Sequence, residues 1–251
     1  MVNIYINGKE VAAQKGETIL QVALREGYDI PHLCYHPALK AEGNCRLCLV
    51  EAAGKIVTSC TTVVKDGLEV NLDTEEVNRH RRTVLEMLKG LVPKSPLLNE
   101  LSIKYGLEKV RIAESEEVCI KCGLCVRVCS DLIGADALTQ EGRGTETFFN
   151  PPFGEPSPDC VGCTSCAFIC PVQCIKYEKT DDTITIWGKT MDRLKCSNCN
   201  APLDLTQEHL DLIVKRGDNL HAEDLMLCDV CSRAQTLSTM KTVVESQLNL
   251  E

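Results

Sequence analysis

The sequence is poor in aromatic residues and has neither a long apolar stretch nor an excess of positive charge. Only 4% of its 251 residues are aromatic, so we expect small, aliphatic hydrophobic cores. No apolar run reaches the roughly eighteen residues of a membrane-spanning helix, and the N-terminus carries no secretion-signal pattern. The formal net charge of -9 disfavours nucleic acid as a partner, because phosphate binding needs a basic face. These absences predict a cytoplasmic protein with no membrane span.

Nucleotide-binding and catalytic motifs are also missing from the sequence. Neither a GxGxxG after a strand nor a GxxxxGK[ST] occurs, so we expect neither a dinucleotide-binding fold nor a phosphate-binding loop. The five histidines are scattered and form no catalytic constellation. We therefore expect no catalytic residue in this chain.

Cysteine, in contrast, is abundant, and sixteen of the seventeen cysteines fall into four sets of four. In a reducing cytoplasm, closely spaced cysteines are far more often metal ligands than disulfides. The cysteine outside the sets is Cys174, which we expect to be a small buried residue packed beside a metal centre.

Two of the sets repeat the pattern CxxCxxCxxxC, which is typical of 4Fe-4S ferredoxins. In two-cluster ferredoxins the fourth cysteine of each repeat ligates the other cluster, so the two sets exchange one ligand. The predicted ligand sets are Cys119, Cys122, Cys125 and Cys170 for one 4Fe-4S cluster, and Cys160, Cys163, Cys166 and Cys129 for the other. Two zinc sites are the alternative, although zinc knuckles rarely need this third and fourth cysteine.

The last set consists of two CxxC pairs separated by twenty-eight residues. Such pairs are typical of a tetrahedral four-thiolate zinc site that closes a small, zinc-ribbon-like module. The predicted zinc ligands are Cys196, Cys199, Cys228 and Cys231. A further iron-sulfur cluster is the alternative occupant.

Hydrophobic periodicity predicts an α+β protein. Strands are expected over residues 2–6, 10–13, 47–52, 55–58, 68–72 and 183–187. Helices are expected over residues 17–26, 77–91, 206–215 and 230–248. The second helix follows a capping box of Asp73 and Glu76, and its Arg79–Arg82 run is expected on a solvated face, with an acidic patch of a partner as the alternative.

These elements and the cysteine sets divide the chain into four predicted parts. The parts are a β-grasp domain at 1–73, a helical connector at 74–115, a two-cluster ferredoxin-like domain at 116–180 and the CxxC/CxxC module at 181–251.

The first cysteine set has the spacing Cx10CxxCx11C, which differs from the plant-type ferredoxin pattern. With the sheet and helix predicted around it, and with the sequences Leu33-Cys34-Tyr35 and Asn44–Val50, it resembles the 2Fe-2S domain of the large iron-sulfur subunit of respiratory complex I. The same module occurs in NAD-linked NiFe hydrogenases, FeFe hydrogenases and formate dehydrogenases. The resemblance extends to about residue 180 and includes the stretches 142–147 and 151–154.

The resemblance implies cofactors and partners. It implies one 2Fe-2S cluster, with structural zinc as the alternative, on Cys34, Cys45, Cys48 and Cys60. It also implies a hetero-oligomer with a flavin- and NAD(P)H-binding subunit, in which ferredoxin or a catalytic redox subunit exchanges electrons with this chain. His32 and His36 flank Cys34 and are either ordinary loop residues or tune the potential of that cluster.

The chain departs from the family in one respect. Family members commonly carry, between the two modules, a 4Fe-4S cluster on one histidine and three cysteines, but residues 61–118 contain no cysteine, so we expect that cluster to be absent. Their one histidine, His80, is expected to be solvated. The chain also lacks the large catalytic domain of the longest relatives, which implies a small subunit of a diaphorase or of a transhydrogenase, hydrogenase or formate dehydrogenase complex, including electron-bifurcating types.

Two functions therefore compete. In the first, the chain passes single electrons through one 2Fe-2S and two 4Fe-4S clusters, either within a complex or as a freestanding polyferredoxin. In the second, zinc occupies the sites and the chain is a scaffold that assembles other subunits.

Overall fold

A computed structural model of the chain describes residues 1–217 and 220–248, apart from the side chains at 145, 239 and 241–248. The described residues form a mixed α+β protein, which confirms the predicted class. They divide into two compact units. The first unit comprises Met1–Gly134, Gln140–Phe149 and Cys166–Ile175, and the second comprises Ala135–Thr139, Asn150–Ser165 and the chain from Lys176 onward. The division into four functional parts stays a prediction.

A five-stranded mixed sheet opens the first unit. Its strands are β1 (Val2–Ile6), β2 (Lys9–Ala13), β3 (Leu49–Ala52), β4 (Lys55–Thr58) and β5 (Leu68–Asn71), in the order β2-β1-β5-β3-β4. Strands β1 and β5 run parallel and the other pairs run antiparallel. Asn7 and Gly8 make the β1-β2 turn at φ values of 49° and 78°, a left-handed conformation that these two residue types tolerate best.

Helix α1 (Ile19–Arg25) covers this sheet and completes its core. It begins at a capping box, in which the Thr18 side chain accepts from the backbone N–H of Gln21 and the Gln21 side chain accepts from that of Thr18. The fully buried side chains around it are aliphatic, as predicted, and include Ile4, Ile6, Ile19, Leu20, Val22, Val50 and Val70. This core fixes both ends of the loop that carries Cys34, Cys45 and Cys48.

Two helices follow the sheet, α2 (Glu75–Leu91) and α3 (Pro96–Lys104). Helix α2 begins at Thr74, whose side chain accepts from Val77 N, so the predicted capping role of Asp73 is wrong. Asp73 instead accepts from the Asn78 side chain at 2.8 Å. Helix α3 was not predicted, although Ser95 caps it and Pro96 occupies its first turn, both of which are typical of helix starts.

Arg81 of α2 is buried, which corrects the expectation that the whole Arg79–Arg82 run is solvated. Its side chain is 3% exposed, whereas that of Arg79 is 68% exposed. Arg81 Nη2 donates to the carbonyl oxygens of Leu49 at 2.7 Å and Leu72 at 2.9 Å. The arginine therefore connects α2 to the ends of β3 and β5, since charged donors make the stronger hydrogen bonds.

Regular structure is sparse in the cysteine-rich region, as predicted. The elements are α4 (Leu124–Arg127), a π-helical turn (Val128–Ile133), the short strands β6 (Thr139–Glu141) and β7 (Phe148–Asn150), 3-10 turns at Gly144–Glu146 and Pro152–Gly154, and α5 (Ser165–Phe168). The π-helical turn continues directly from α4 and ends at Gly134, whose φ is 73°.

The second unit contains a four-stranded antiparallel sheet and three helices. The strands are β8 (Tyr177–Lys179), β9 (Thr183–Ile186), β10 (Lys189–Lys195) and β11 (Pro202–Thr206), in the order β11-β10-β9-β8. The helices are α6 (Gln207–Arg216), α7 (Ala222–Leu225) and α8 (Asp229–Leu248). Periodicity predicted β9, α6 and α8 but missed the other strands. Among the described residues, no helix is both long enough and apolar enough to cross a membrane.

Candidate metal centres

The first cysteine set lies in the first unit and is almost inaccessible to solvent. Cys34, Cys48 and Cys60 are each 1% exposed and Cys45 is 5% exposed. The backbone N–H of Cys45 donates to Cys34 Sγ at 3.3 Å. Ser59 fixes the Cys48 carbonyl oxygen by donating to it from its backbone nitrogen at 2.9 Å and from Oγ at 2.7 Å. All four thiols are thus buried, three of them on the loop before β3 and Cys60 just after β4.

These four thiols shift one another's pKa values. The Cys60 thiol lowers the pKa of Cys48 to about 6, and the Cys34 thiol lowers the pKa of Cys45 to about 7. The reverse contacts raise the pKa values of Cys34 and Cys60. Thiolates are the soft ligands that iron-sulfur clusters select, and two contacting pairs of buried thiols, Cys34 with Cys45 and Cys48 with Cys60, fit a 2Fe-2S cluster.

Cys119, Cys122, Cys125 and Cys170 all belong to the first unit. Burial raises the pKa of Cys122 to about 12 and also raises the pKa of Cys125. The backbone N–H of Lys121 donates to Cys119 Sγ at 3.4 Å, which is the kind of contact that stabilises a ligating thiolate. The donor set fits the 4Fe-4S cluster predicted from its spacing.

Cys174 contacts two of these predicted ligands. Its Sγ lies 3.5 Å from Cys170 Sγ. The Cys174 thiol lowers the pKa of Cys119 to about 7 and that of Cys170 to about 5. Cys174 therefore packs beside predicted ligands, as expected, but it is half-buried and not fully buried.

The adjacent pair Cys170 and Cys174 allows a matched test of the ligand assignment. Cys170→Ala is expected to lower the iron content by about four atoms per chain, because a cubane loses its fourth thiolate. Cys174→Ala is expected to keep the full iron content. Iron and protein are measured on anaerobically purified chains. Iron loss in Cys174→Ala alone would transfer the ligand role to Cys174. Iron loss only in the double variant would show that either thiol can serve.

The remaining ferredoxin-type cysteines are divided between the two units. Cys129 and Cys166 belong to the first unit, in the π-helical turn and in α5, and both are buried. Cys160 and Cys163 belong to the second unit. There Lys189 Nζ donates to the Cys160 carbonyl oxygen at 2.6 Å, and burial raises the pKa of the Cys160 thiol. The second 4Fe-4S cluster stays a prediction from the spacing.

The four cysteines of the last set converge in the second unit. The Sγ atoms of Cys196, Cys199, Cys228 and Cys231 all lie within 4.8 Å of one another. The backbone N–H of Cys228 donates to Cys196 Sγ at 3.3 Å, and Asn198 Nδ2 donates to Cys231 Sγ at 3.3 Å. Backbone donation from Cys228 and Cys199 lowers the pKa of Cys196 to about 6. Four convergent thiols fit one tetrahedral metal ion.

The histidines near the candidate sites make local contacts. His32 Nδ1 lies 2.8 Å from the Ile30 carbonyl oxygen, and the ring packs edge-on against Tyr35. His36 Nδ1 accepts from Ala38 N at 3.3 Å. His80 Nε2 lies 3.7 Å from a Glu76 carboxylate oxygen on α2. The loop contacts of His32 and His36 favour the interpretation that they are ordinary loop residues.

Sequence reasoning missed three polar residues that hold the cysteine loops. These are Ser59 at Cys48, and Asn44 and Arg127, which both donate to the Cys122 carbonyl oxygen. The sequence offered one signal, the position of Arg127 between Cys125 and Cys129. An arginine is ordinarily expected to be solvated, so this position alone did not predict a structural role. Their partners are backbone carbonyls, which leave no mark in a sequence.

Comparison with known protein families assigns the chain to a class. Residues 1–75 match the family of 2Fe-2S iron-sulfur cluster binding domains. These residues include the whole first cysteine set and the five-stranded sheet. The chain is therefore an iron-sulfur protein.

Individual relatives define the family more closely. The chain is 34% identical to the NADH-ubiquinone oxidoreductase 75 kDa subunit of Reclinomonas americana over 59% of its length, and 27% identical to an NADH-quinone oxidoreductase subunit of Rhizobium meliloti over 82%. It covers only 25% and 27% of these relatives. A chain in the crystal structure of NAD+-reducing [NiFe]-hydrogenase superposes with a TM-score of 0.62 at 30% identity, over 68% of this chain and 85% of that one.

The chain belongs to the family of iron-sulfur subunits related to the N-terminal region of the complex I large iron-sulfur subunit and to NAD-linked hydrogenase subunits. The resemblance stated from the sequence is thereby confirmed.

Proposed function

We propose that the chain is the electron-carrying subunit of an NAD(P)H-dependent oxidoreductase complex. It would carry single electrons through one 2Fe-2S and two 4Fe-4S clusters, between a flavin- and NAD(P)H-binding subunit and ferredoxin or another redox partner. One observation carries the proposal: the first unit, which includes the residues that match the family of 2Fe-2S domains, holds two complete sets of four candidate ligand cysteines. The relatives' names supply the link to NADH.

Each residue set has a defined task in this proposal. The thiolates of Cys34, Cys45, Cys48 and Cys60 would hold the 2Fe-2S cluster, which supplies one-electron chemistry. Backbone and hydroxyl donors such as those of Ser59 orient the loop, and burial keeps water from the thiolates. We assign no bond-making catalysis to this chain, and we place the nicotinamide site on a partner.

The second candidate, a zinc scaffold, is favoured by the convergence of the four C-terminal thiols. That geometry fits zinc and gives no reason for a redox role. We therefore propose that the second unit binds one structural zinc ion and that the other cysteine sets bind iron. The zinc would then stabilise only the region around the C-terminal thiols and would not assemble other subunits.

Metal analysis of the anaerobically purified chain tests this proposal. We expect about ten irons and about one zinc per chain, together with EPR signals of one 2Fe-2S and two 4Fe-4S centres on reduction. Mass spectrometry of co-purifying chains should find a flavin-containing subunit. A colourless protein with about four zincs would support the scaffold instead, whereas iron without such a partner would indicate a freestanding polyferredoxin.

A further inference from the structure

The side chain of Arg127 lies between two of the candidate cluster sites. Arg127 ends α4, two residues after Cys125, and its side chain is 10% exposed. Its Nη2 donates to the carbonyl oxygens of Cys34 at 3.0 Å and Cys122 at 3.4 Å. One nitrogen thus bridges a predicted ligand of the 2Fe-2S cluster and a predicted ligand of the first 4Fe-4S cluster.

Further contacts hold this bridge in place. Arg127 Nη1 donates to the Lys40 carbonyl oxygen at 2.8 Å, which fixes the loop between Cys34 and Cys45. Asn44 Nδ2 donates to the same Cys122 carbonyl at 3.2 Å and to the Glu42 carboxylate at 2.9 Å. Glu42 Oε2 lies 3.2 Å from Arg127 Nε and is the acidic partner of the guanidinium.

A buried guanidinium at this position acts electrostatically on both sites. Reduction adds a negative charge to a cluster, so a nearby fixed positive charge favours the reduced state. Burial strengthens this effect, because the charge is less screened than one in water. Glu42 opposes it, although its side chain is 45% exposed and its charge is therefore partly screened.

We infer that Arg127 is a positioning residue that joins the Cys34 loop to the Cys122 loop and raises the reduction potentials of both cluster centres. This inference rests on the proposed function, because it requires clusters at both cysteine sets. It goes beyond that function by assigning to one residue both the contact between the two cysteine loops and a common effect on the two reduction potentials.

A redox titration followed by EPR on the full chain tests the inference. In Arg127→Gln the equilibrium for reducing each of the two centres should become about tenfold less favourable, which is roughly 59 mV for a one-electron couple. Arg127→Lys should restore most of that shift by keeping the charge. Glu42→Gln should move both potentials in the opposite direction. Arg46→Gln is the control, because Arg46 also lies beside a ligand cysteine but is solvent-exposed.

The outcomes separate this inference from the proposed function. Wild-type protein without iron would contradict the proposed function itself. Iron-loaded Arg127→Gln with wild-type potentials at both centres would overturn the role of Arg127. If Arg127→Gln fails to retain its clusters, Arg127→Lys decides: a full tenfold shift of both equilibria in that variant would overturn the role, because its positive charge is retained.

Discussion

Serine in place of Cys48 is expected to slow electron passage through the complex by more than about a hundredfold. Mutating a residue that only hydrogen-bonds to a metal ligand typically lowers metal affinity or activity about 10–100-fold, and loss of the ligand itself should have a larger effect. The change replaces a soft thiolate, which iron-sulfur clusters select, by a hard hydroxyl oxygen. It also removes a thiol whose pKa the Cys60 contact lowers to about 6. The 2Fe-2S cluster is therefore expected to be lost or strongly altered in this variant.

The fold and the partner-binding surface should survive the substitution. Cys48 is 1% exposed, so no surface group changes. Its carbonyl oxygen, which the backbone and side chain of Ser59 fix, is the same in serine. Association with partner subunits should therefore remain normal while electron passage fails.

Stopped-flow reduction of the later centres by NAD(P)H, in the purified complex, measures this effect directly. Co-purification of the partner subunits reports whether assembly is intact. Thr61→Ser is the control, because it is a conservative change at an exposed residue next to Cys60 that leaves all four thiols in place. Wild-type turnover in Cys48→Ser would show that this centre is not on the electron path.

Local signals made the N-terminal sheet predictable. The Asn7-Gly8 pair predicted the first hairpin correctly, because the turn requires positive φ values that few other residue pairs adopt. Alternation then gave each strand of the sheet to within two residues. Cysteine spacing likewise predicted the C-terminal set, whose four Sγ atoms lie within 4.8 Å of one another, since ligand spacing is a property of a continuous chain.

Contacts distant in sequence were not predictable in the same way. Arg81 was expected in water but donates to Leu49, thirty-two residues away, and Arg127 donates to Cys34, ninety-three residues away. An arginine in a polar stretch is usually solvated. Only the tertiary fold brings these backbone carbonyl oxygens within reach of its guanidinium, so the sequence could not predict the contacts. The strands β8, β10 and β11 were missed because charged residues interrupt or obscure their alternation, as in the sequence KTMDRLK of β10.

The region of the four C-terminal thiols is expected to depend on a bound metal for its stability. Among the described residues, the hydrophobic cluster around these thiols has three buried members, Cys196, Leu203 and Cys231, so two of the three are candidate ligands, and its other members are only partly buried. A cluster this small contributes little against the entropy of folding, so a metal staple is expected to supply much of the stability around these thiols. Structural zinc contributes about 10–16 kcal/mol of binding free energy in zinc-finger peptides, which the folded state alone receives.

Removing the metal from this module is therefore expected to unfold it while the iron content stays unchanged. Cys196→Ala should lower the zinc content from about one per chain to near zero and expose the chain between the two CxxC pairs to limited proteolysis. The fluorescence of Trp187, the one tryptophan and a residue of the second unit, gives an independent reading. Val230→Ala is the matched control, because Val230 is 76% exposed and lies within the second CxxC pair without being a ligand.

The measured metal decides between a zinc staple and a further cluster. If Cys196→Ala lowers iron by about four atoms per chain and wild-type protein holds no zinc, the C-terminal set binds a third cubane. If zinc is lost but proteolysis and fluorescence are unchanged, the metal does not hold the module together. If Cys196→Ala instead loses zinc and becomes protease-sensitive while its iron content stays constant, the two functions are separate. Electron transfer then belongs to the ferredoxin-type sites, and the C-terminal thiols serve local stability.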